Sequence, residues 1–284
     1  MKLNINKIKV DIQYLLPKWL LTVFAGLLAK NKLGKLTTLM VKEFAKFYKI
    51  NTDEMEKNLD EYETFNDFFA RALKKDARPI CQEENSLCFP ADGTISQLGS
   101  INNEFMIQAK NHYYTTEALL ADKEDGEIFK NGDFITIYLS PKDYHRVHIP
   151  FSGKLKKMTY VPGELFSVNQ LNAENIPELF ARNERAVCIF DTDIGKMAVV
   201  FVGATIVRSI TTQWEGVVAP NKSSEITVYD YFDKDIKFNK GDEIGKFTLG
   251  STVICLFEKN KISFDKELKP QDKVKVGQLM AKSK

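Results

Sequence analysis

The chain has 284 residues, of which 44% are hydrophobic and 27% charged, and its net charge is only +2. This length and composition are typical of a folded globular protein with a sizeable core. The near-zero net charge argues against a general nucleic-acid-binding protein. The four cysteines form no C-x-x-C pair, and with only three histidines a structural zinc site is not expected. Scattered, unpaired thiols favour a reducing compartment.

The N-terminal 50 residues are strongly basic. They carry ten lysines and two acids, a net charge of +8, so the other 234 residues carry −6. The longest uncharged apolar run, 19–29, has 11 residues, whereas a membrane-spanning helix needs ~20. Asp11, Pro17 and the lack of an A-x-A site argue against a signal peptide. We favour a helix that lies on an anionic membrane surface, and a buried core helix with solvated lysines is the alternative.

Helical patterns dominate the first quarter of the chain. Four apolar residues recur at helical spacing, namely Leu36, Met40, Phe44 and Phe47. A further helix is predicted to begin at Thr64, which is a candidate N-cap three residues before Asp67.

After about residue 75 the pattern changes to short apolar runs that are separated by Asp-Gly, Ser-Gly and Asn-Gly turns, which is typical of strands. One helical insertion is expected at 172–183. We therefore predict an α+β fold with two parts. Residues 1–75 form a helical region that associates with a membrane surface, and residues 76–284 form a mainly antiparallel β sandwich or barrel-like catalytic core.

Candidate catalytic residues lie in three core segments. Asp92 is in PADGT, His145 and His148 are in SPKDYHRVHIP, and Ser251 is in FTLGSTVI. An acid, an imidazole and a hydroxyl can supply an orienting group, a general base and a nucleophile. An Asp before Gly is most often only a turn former, however. By spacing alone these residues indicate no more than a candidate serine nucleophile.

Local patterns around these residues add further expectations. Residues 140–143 (SPKD) resemble a helix start, followed by a short turn and a strand that begins near Val147. His112 is interpreted as a surface or structural residue. The sequence contains no G-x-S-x-G, dinucleotide-binding or P-loop motif.

Seven segments resemble, in the same order, segments of the pyruvoyl-dependent phosphatidylserine decarboxylases, and together they cover the chain from about residue 60 to Val253. They are FNDFFARALK, FPADGTISQLG, YLSPKDYHRVHIPFSG, VPGELFSVN, LFARNERAV, VGATIVRSI and GKFTLGSTVI. Members of this family are proenzymes that cut themselves between Gly and Ser, which here are Gly250 and Ser251. One departure is Arg208, where bacterial members usually have Gly.

The resemblance implies roles for the candidate residues. Ser251 attacks the carbonyl carbon of Gly250, His148 takes the proton, and Asp92 orients the imidazole. Ser251 then becomes a pyruvoyl group, which forms a Schiff base with the substrate in place of PLP, and no metal is required. His145 is expected to be the acid that protonates the substrate after CO₂ leaves.

The resemblance also implies partners. Phosphatidylserine would be converted to phosphatidylethanolamine at the cytoplasmic face of the cell membrane, by a peripheral enzyme that binds no nucleic acid. Chains 1–250 and 251–284 would form a heterodimer, with further dimerisation left open. Two alternatives are a serine hydrolase that uses Asp92, His148 and Ser251 without self-cleavage, and a non-enzymatic membrane-surface module in which Gly-Ser is a strand bulge.

Overall fold

The computed structural model describes residues 26, 28–109, 112–204, 209–219, 224–248 and 251–284. Most of the predicted interfacial helix at 19–29, Arg208 and Gly250 lie outside the described residues. The helices, numbered here in chain order, are α1 (Lys35–Tyr48), α2 (Phe65–Phe69), α3 (Thr116–Leu120), α4 (Lys123–Phe129), α5 (Gln170–Ala173) and α6 (Leu179–Arg182). Residues 26 and 28–30 are also helical.

Strands supply most of the regular structure after residue 85. They are β1 (Ser86–Cys88), β2 (Gly93–Ser100), β3 (Phe105–Ala109), β4 (His112–Thr115), β5 (Asp133–Leu139), β6 (Arg146–His148), β7 (Gly153–Val161), β8 (Arg185–Thr192), β9 (Gly195–Val202), β10 (Ile210–Thr212), β11 (Gly216–Ala219), β12 (Thr227–Asp230), β13 (Lys237–Phe238), β14 (Glu243–Phe247), β15 (Ser251–Phe257), β16 (Ile262–Phe264), β17 (Lys273–Val274) and β18 (Leu279–Ser283).

A nine-stranded sheet forms the centre of the molecule. Its order is β12-β7-β8-β9-β15-β5-β2-β17, with β13 also paired to β7, and the neighbouring strands are antiparallel. A four-stranded sheet has the order β11-β10-β14-β6, and a three-stranded sheet has the order β1-β18-β16. The strand that begins at Ser251 is therefore an interior strand of the largest sheet.

Strand β15 is buried on both faces. Val253, Cys255 and Phe257 belong to one hydrophobic cluster, and Ile254 and Leu256 belong to another. This alternation follows from the two-residue period of a strand. The first cluster includes residues of the four-stranded sheet, and the second includes residues of helices α3, α4 and α6. The central sheet thus has a second sheet on one face and short helices on the other.

The N-terminal helices build a third, separate cluster, which contains Val41 and Ala45 of α1 together with Phe65, Phe68 and Phe69 of α2. The predicted helix at 36–50 is confirmed as α1, and the predicted N-cap is confirmed because the Thr64 side chain accepts a hydrogen bond from the backbone N–H of Asp67. The predicted apolar face of α1 is only partly buried. Leu36 and Phe47 are 50% and 78% exposed, and Leu39 is also exposed.

The coarse fold prediction is confirmed, since the chain is α+β with mostly antiparallel sheets and short N-terminal helices. The described strands form open sheets, and none of these sheets closes on itself. The predicted insertion at 172–183 contains two short helices, α5 and α6. Within the described segments, no helix is long and apolar enough to span a membrane.

Candidate active site

Ser251 is the first residue of β15 and has no solvent exposure. It pairs with Leu139, the last residue of β5, and the next residue, Thr252, lies between Tyr138 of β5 and Val202 of β9. This register brings Ser251 next to the turn that follows β5.

The turn after β5 is shaped by its own side chains. The Asp143 carboxylate accepts hydrogen bonds from the backbone N–H and the hydroxyl of Ser140, at 2.7 and 2.6 Å, and the Asp143 N–H donates to the Ser140 carbonyl. The predicted helix start was wrong, because the Ser140 hydroxyl donates to Asp143 instead of capping a helix and the segment forms a turn that continues into β6. The predicted strand near Val147 is confirmed.

His145 contacts Ser251 directly. Its Nδ1 lies 3.3 Å from the Ser251 hydroxyl oxygen, and its Nε2 lies 3.1 Å from the Ser140 carbonyl oxygen. A carbonyl can only accept, so the hydrogen-bond pattern assigns the proton to Nε2 and the lone pair to Nδ1. The Ser251 hydroxyl therefore donates to the lone pair of His145 Nδ1.

The surroundings of His145 disfavour its protonated form. The ring is fully buried and stacks on Phe69 with 4.2 Å between the ring centroids. Burial, together with the positive charge of Arg71, lowers the pKa of His145 to about 3, although the Ser140 carbonyl opposes this shift. His145 is consequently neutral at physiological pH, and its conjugate acid is a strong proton donor.

His148 is occupied by other partners. Its Nδ1 lies 2.7 Å from the Gly241 carbonyl oxygen and its Nε2 lies 3.2 Å from the Tyr144 hydroxyl. Burial lowers the pKa of His148, while the Gly241 carbonyl and the negative charges of Glu243 and Asp92 oppose that shift. The structure thus gives His148 an environment that tolerates a proton better than that of His145.

Asp92 lies at the loop before β2 and is buried in an ion pair. Arg78 donates to both of its oxygens, at 2.8 Å from Nε and 2.5 Å from Nη2, and the backbone N–H of Val276 donates at 2.9 Å. Gly93 follows it because a Cβ there would collide with the carbonyl oxygen of Tyr138. The carboxylate influences His148 through its charge, since its hydrogen bonds go to Arg78 and Val276.

Of the predicted site residues, the structure brings together His145 and Ser251. The hydrogen bonds of Asp92 and His148 are made with other groups, so the predicted roles of these two residues stay predictions. His112 begins β4 and is partly buried.

Both sides of the predicted cleavage site are anchored to the sheets. The Phe247 N–H donates to the His145 carbonyl at 3.0 Å, and the Thr248 N–H lies 3.3 Å from the Ser209 carbonyl. Ser251 is held by the pairing of β15 with β5. Cleavage before Ser251 would therefore create a new chain end whose position the sheet already fixes.

The sequence analysis did not predict two residues that contribute to the site. Phe69 packs on His145, and the Arg71 guanidinium donates to the backbone carbonyls of Lys142 and Asp143, in the turn that precedes His145. Both belong to the segment FNDFFARALK. Arg71 follows the phenylalanine-rich helix α2 by two residues, and this position is the signal that could have identified it.

Comparison with known proteins agrees with this arrangement. A sequence model of the family described as phosphatidylserine decarboxylase matches residues 65–282, and one described as PSD matches residues 8–49. Phosphatidylserine decarboxylase proenzyme of Haemophilus ducreyi is 50% identical over 98% of this chain and 95% of its own length. The proenzymes of Haemophilus influenzae and Shewanella loihica are 48% and 49% identical over 98% of this chain and cover 97% and 99% of their own lengths.

This chain belongs to the phosphatidylserine decarboxylase family. The predicted family is confirmed, and with it the prediction of an enzyme. Membership implies a proenzyme whose pyruvoyl group comes from a serine. Ser251 fits such a group, since it is buried, it begins a strand and it contacts an imidazole. Among the described residues, no group of three or more His, Cys, Asp or Glu side chains could hold a metal ion.

Proposed function

We propose that Ser251 is the residue from which this decarboxylase makes its pyruvoyl group, after the chain cuts itself between Gly250 and Ser251. The activity follows from the family, since the enzyme converts phosphatidylserine to phosphatidylethanolamine. A pyruvoyl group at a chain N-terminus supplies the electron sink that decarboxylation of an amino acid needs and that PLP supplies in other enzymes. The observation that carries the proposal is the contact between Ser251 Oγ and His145 Nδ1 at the start of β15.

Cleavage proceeds by an acyl shift that the chain performs on itself. Ser251 Oγ bonds to the carbonyl carbon of Gly250, the C–N bond breaks, and the amide becomes an ester. Loss of the Ser251 Cα proton expels the Gly250 carboxylate and leaves dehydroalanine. Water then replaces the nitrogen, ammonia leaves, and residue 251 ends as a ketone.

The first proton transfer needs a base for the Ser251 hydroxyl. His145 already contacts this hydroxyl. A general base works best when its pKa is near the working pH, however, and burial holds the pKa of His145 near 3. His148 has the negative charges of Asp92 and Glu243 to stabilise its protonated form. We therefore retain Asp92 and His148 as the pair that activates Ser251, which requires His148 to exchange its Tyr144 contact for Ser251.

His145 is proposed as the acid during decarboxylation. It contacts the residue on which the substrate reacts. Because burial keeps the ring neutral in the precursor, this role requires His145 to take up a proton once the negatively charged substrate is bound, after which it gives that proton up readily. Phe69 and the Ser140 carbonyl fix the ring from two directions, so little reorientation is needed. The two histidines are thus proposed to act on residue 251 in separate reactions, His148 in self-cleavage and His145 in decarboxylation.

The two chains are proposed to stay together as a heterodimer after cleavage. Residues 251–284 would contribute β15 to the interior of the central sheet, where six further residues of β15 follow Ser251 and all are buried. They would also contribute β16 and β18 to the three-stranded sheet. The small chain is therefore integrated into the core of the large one.

The substrate is a membrane lipid, and the N-terminal region is proposed to bring the enzyme to it as a peripheral protein at the cytoplasmic face. Three apolar side chains of α1 are exposed, namely Leu36, Leu39 and Phe47. The same region carries the +8 charge, and each lysine near an anionic bilayer contributes ~1 kcal/mol of attraction. Exposed apolar groups within a basic region are what an interfacial helix needs.

The decisive experiment is the intact mass of the purified protein before and after borohydride treatment with a primary amine. We expect two chains that break between Gly250 and Ser251, with the smaller one reducible onto the amine. A single uncut chain in a folded preparation, together with fluorophosphonate labelling of Ser251, would contradict self-cleavage and support the serine hydrolase instead. Normal activity of Ser251→Ala would contradict both.

A further inference from the structure

Arg71 is a buried cation whose guanidinium is only partly satisfied. The residue is 4% exposed. Its Nη2 donates to the carbonyls of Lys142 and Asp143, at 2.7 and 3.1 Å, whereas its Nε and Nη1 have no acceptor among the described residues. An arginine keeps its charge even when it is buried, so unused donors in such a place are costly unless a hydrogen-bond acceptor completes them.

A second buried arginine shows that the fold can satisfy such a group completely. Arg185 is 3% exposed, and its three nitrogens donate to four backbone carbonyls, those of Leu119, Ala181, Asn183 and Ala118. Arg185 therefore has the hydrogen bonding of a structural arginine. Arg71 differs from it in the donors that remain free.

Tyr62 provides a second unused donor close to Arg71. Its side chain is buried, at 6% exposure, and its hydroxyl has no acceptor among the described residues. Burial raises the pKa of the Tyr62 hydroxyl, and the positive charge of Arg71 partly offsets this, as expected for neighbours. Tyr62 is thus a second buried side chain of this region whose donor has no acceptor among the described residues.

Both residues line open cavities beside the catalytic turn. Arg71 and Tyr144 line a cavity of about 220 Å³. Tyr62, Lys246 and Thr248 line a second one of the same volume, and Thr248 precedes the predicted cleavage site by two residues. The two residues line different cavities, so a ligand in the first cavity would lie beside Arg71 and not beside Tyr62. Because the free nitrogens of Arg71 are themselves covered, such a ligand must displace the atoms over them.

The acids around Arg71 are already engaged. Asp92 and Glu54 hold the Arg78 guanidinium, and the Asp143 carboxylate accepts from Ser140. None of these carboxylates forms an ion pair with Arg71 among the described residues. No described carboxylate therefore completes Arg71, and an anionic ligand in the cavity would do so.

We infer that Arg71, through its free Nε and Nη1 nitrogens, binds the phosphodiester of the phospholipid substrate in the cavity that it lines with Tyr144. The assignment rests on the proposed function and identifies a side chain that would hold the head group beside the turn that carries His145. A charged guanidinium makes strong hydrogen bonds to phosphate oxygens, and each free nitrogen can donate one of them.

The phosphodiester is a better partner for Arg71 than the substrate carboxylate. The carboxylate loses its charge when it leaves as CO₂, so an arginine that held it would stabilise the ground state more than the transition state and slow the reaction. The phosphodiester keeps its charge from substrate to product. Binding energy from this non-reacting group positions the serine part of the head group without opposing the chemical step.

The test compares two water-soluble lipids, dihexanoyl phosphatidylserine as substrate and dihexanoyl phosphatidylethanolamine as product inhibitor. The product has the same phosphodiester but no carboxylate. In the self-cleaved enzyme we expect Arg71→Met to raise KM for the substrate and the inhibition constant of the product in parallel, each on the order of 10- to 100-fold. Arg71→Lys should recover part of the loss.

Arg185→Met is the matched control, since it removes an equally buried arginine whose donors are satisfied by the backbone. It should lower stability and leave both constants unchanged. If Arg71→Met does not self-cleave, binding of the dihexanoyl product is measured on Ser251→Ala precursors with and without Arg71→Met, where the same weakening is expected.

The outcomes separate the alternatives. A higher KM for the substrate with unchanged product inhibition would assign Arg71 to the carboxylate and overturn the phosphodiester assignment. Unchanged constants in a folded, cleaved Arg71→Met enzyme would make Arg71 structural. Failure of the proposed function would show itself differently, because the unmutated chain would then lack cleavage and an amine-reducible group.

Discussion

The Asp92 carboxylate accepts a hydrogen bond from the backbone N–H of Val276, at 2.9 Å, so it joins two segments that lie on opposite sides of the predicted cleavage site. The same carboxylate holds Arg78 through both of its oxygens. Asp92 was assigned to orient His148, and its hydrogen bonds give it a second task. It fastens the C-terminal segment to the rest of the protein.

Replacing Asp92 should therefore reduce stability as well as affect cleavage. Asp92→Ala leaves the Arg78 guanidinium buried without this partner, and loss of one member of a buried pair costs about 3 kcal/mol. We expect a decrease of that size in the free energy of unfolding of the Ser251→Ala precursor, measured in urea. Glu83→Gln, which removes an exposed ion pair with Lys282, should change it by less than about 1 kcal/mol. An unchanged stability for Asp92→Ala would restrict the residue to orienting His148.

The two histidines can be separated by single substitutions. His148→Ala should remain an uncut precursor, because the base for Ser251 is lost. His145→Ala should cut at least partly and decarboxylate poorly, because it keeps that base and lacks the proposed acid. Cleavage is followed by mass spectrometry and activity by release of CO₂. The reverse pattern, with His145→Ala uncut and His148→Ala cut, would transfer the base role to His145, which lies 3.3 Å from Ser251.

Removing the hydroxyls of Ser251 and Thr252, which are adjacent in β15, should have opposite effects on self-cleavage. Ser251→Ala should stay a single, inactive chain of near-normal stability. Thr252→Val should cut and function normally, since the Thr252 hydroxyl is buried without a partner among the described residues. Replacing it with a methyl group should stabilise the fold by about 1 kcal/mol. Loss of cleavage in a folded Thr252→Val protein would show that the chemistry depends on more than the hydroxyl of Ser251.

Acid should destabilise the precursor through His145. Burial lowers the pKa of His145 to about 3 in the folded state, whereas it is near 6.5 in the unfolded chain. Between these two values the unfolded state binds more protons, so stability rises with pH over this window. Acidification from pH 7 to pH 5 should cost about 2 kcal/mol from this residue. His148 acts in the same direction, because burial lowers its pKa too.

Urea unfolding of Ser251→Ala at pH 5 and pH 7, with and without His145→Gln, measures the effect. The double variant should lose about 2 kcal/mol less on acidification. Equal losses in both proteins would mean that His145 is protonated in the folded state at pH 5.

Removal of residues 1–35 should abolish binding to anionic vesicles and leave self-cleavage intact. The deletion removes seven of the ten N-terminal lysines, while the site around Ser251 is built from later residues. Flotation with phosphatidylserine vesicles measures the binding. Retention of the truncated protein on these vesicles would show that the remaining region, including exposed Leu39 and Phe47, is sufficient.

The sequence predicts the helix at α1 but not which of its faces is buried. Spacing selects Leu36, Met40, Phe44 and Phe47, whereas the fully buried residues are Thr37, Val41 and Ala45. Periodicity reports that one side of a helix is apolar. Which residues are covered depends on the neighbours, here the aromatic rings of α2, and these contacts are tertiary.

The candidate residues were identifiable from the sequence, but which histidine contacts Ser251 was not. His145 precedes β6 and His148 ends it, and the two rings have different partners in the structure. The register of Ser251 with Leu139 decides which of them meets the serine. That register depends on strand pairing between residues more than a hundred positions apart, which no local pattern encodes. The ion pair of Arg78 with Asp92 joins residues only 14 positions apart, but it is also a tertiary contact that no local pattern encodes.

The interior position of β15 has a consequence for the lifetime of the enzyme. With Ser251 as the source, the reactive group is part of a strand that cannot leave the sheet without unfolding the protein. It cannot be exchanged, borrowed from a cellular pool or reloaded after damage. Each polypeptide therefore makes its cofactor once, and replacement of an inactivated group requires synthesis of a new chain.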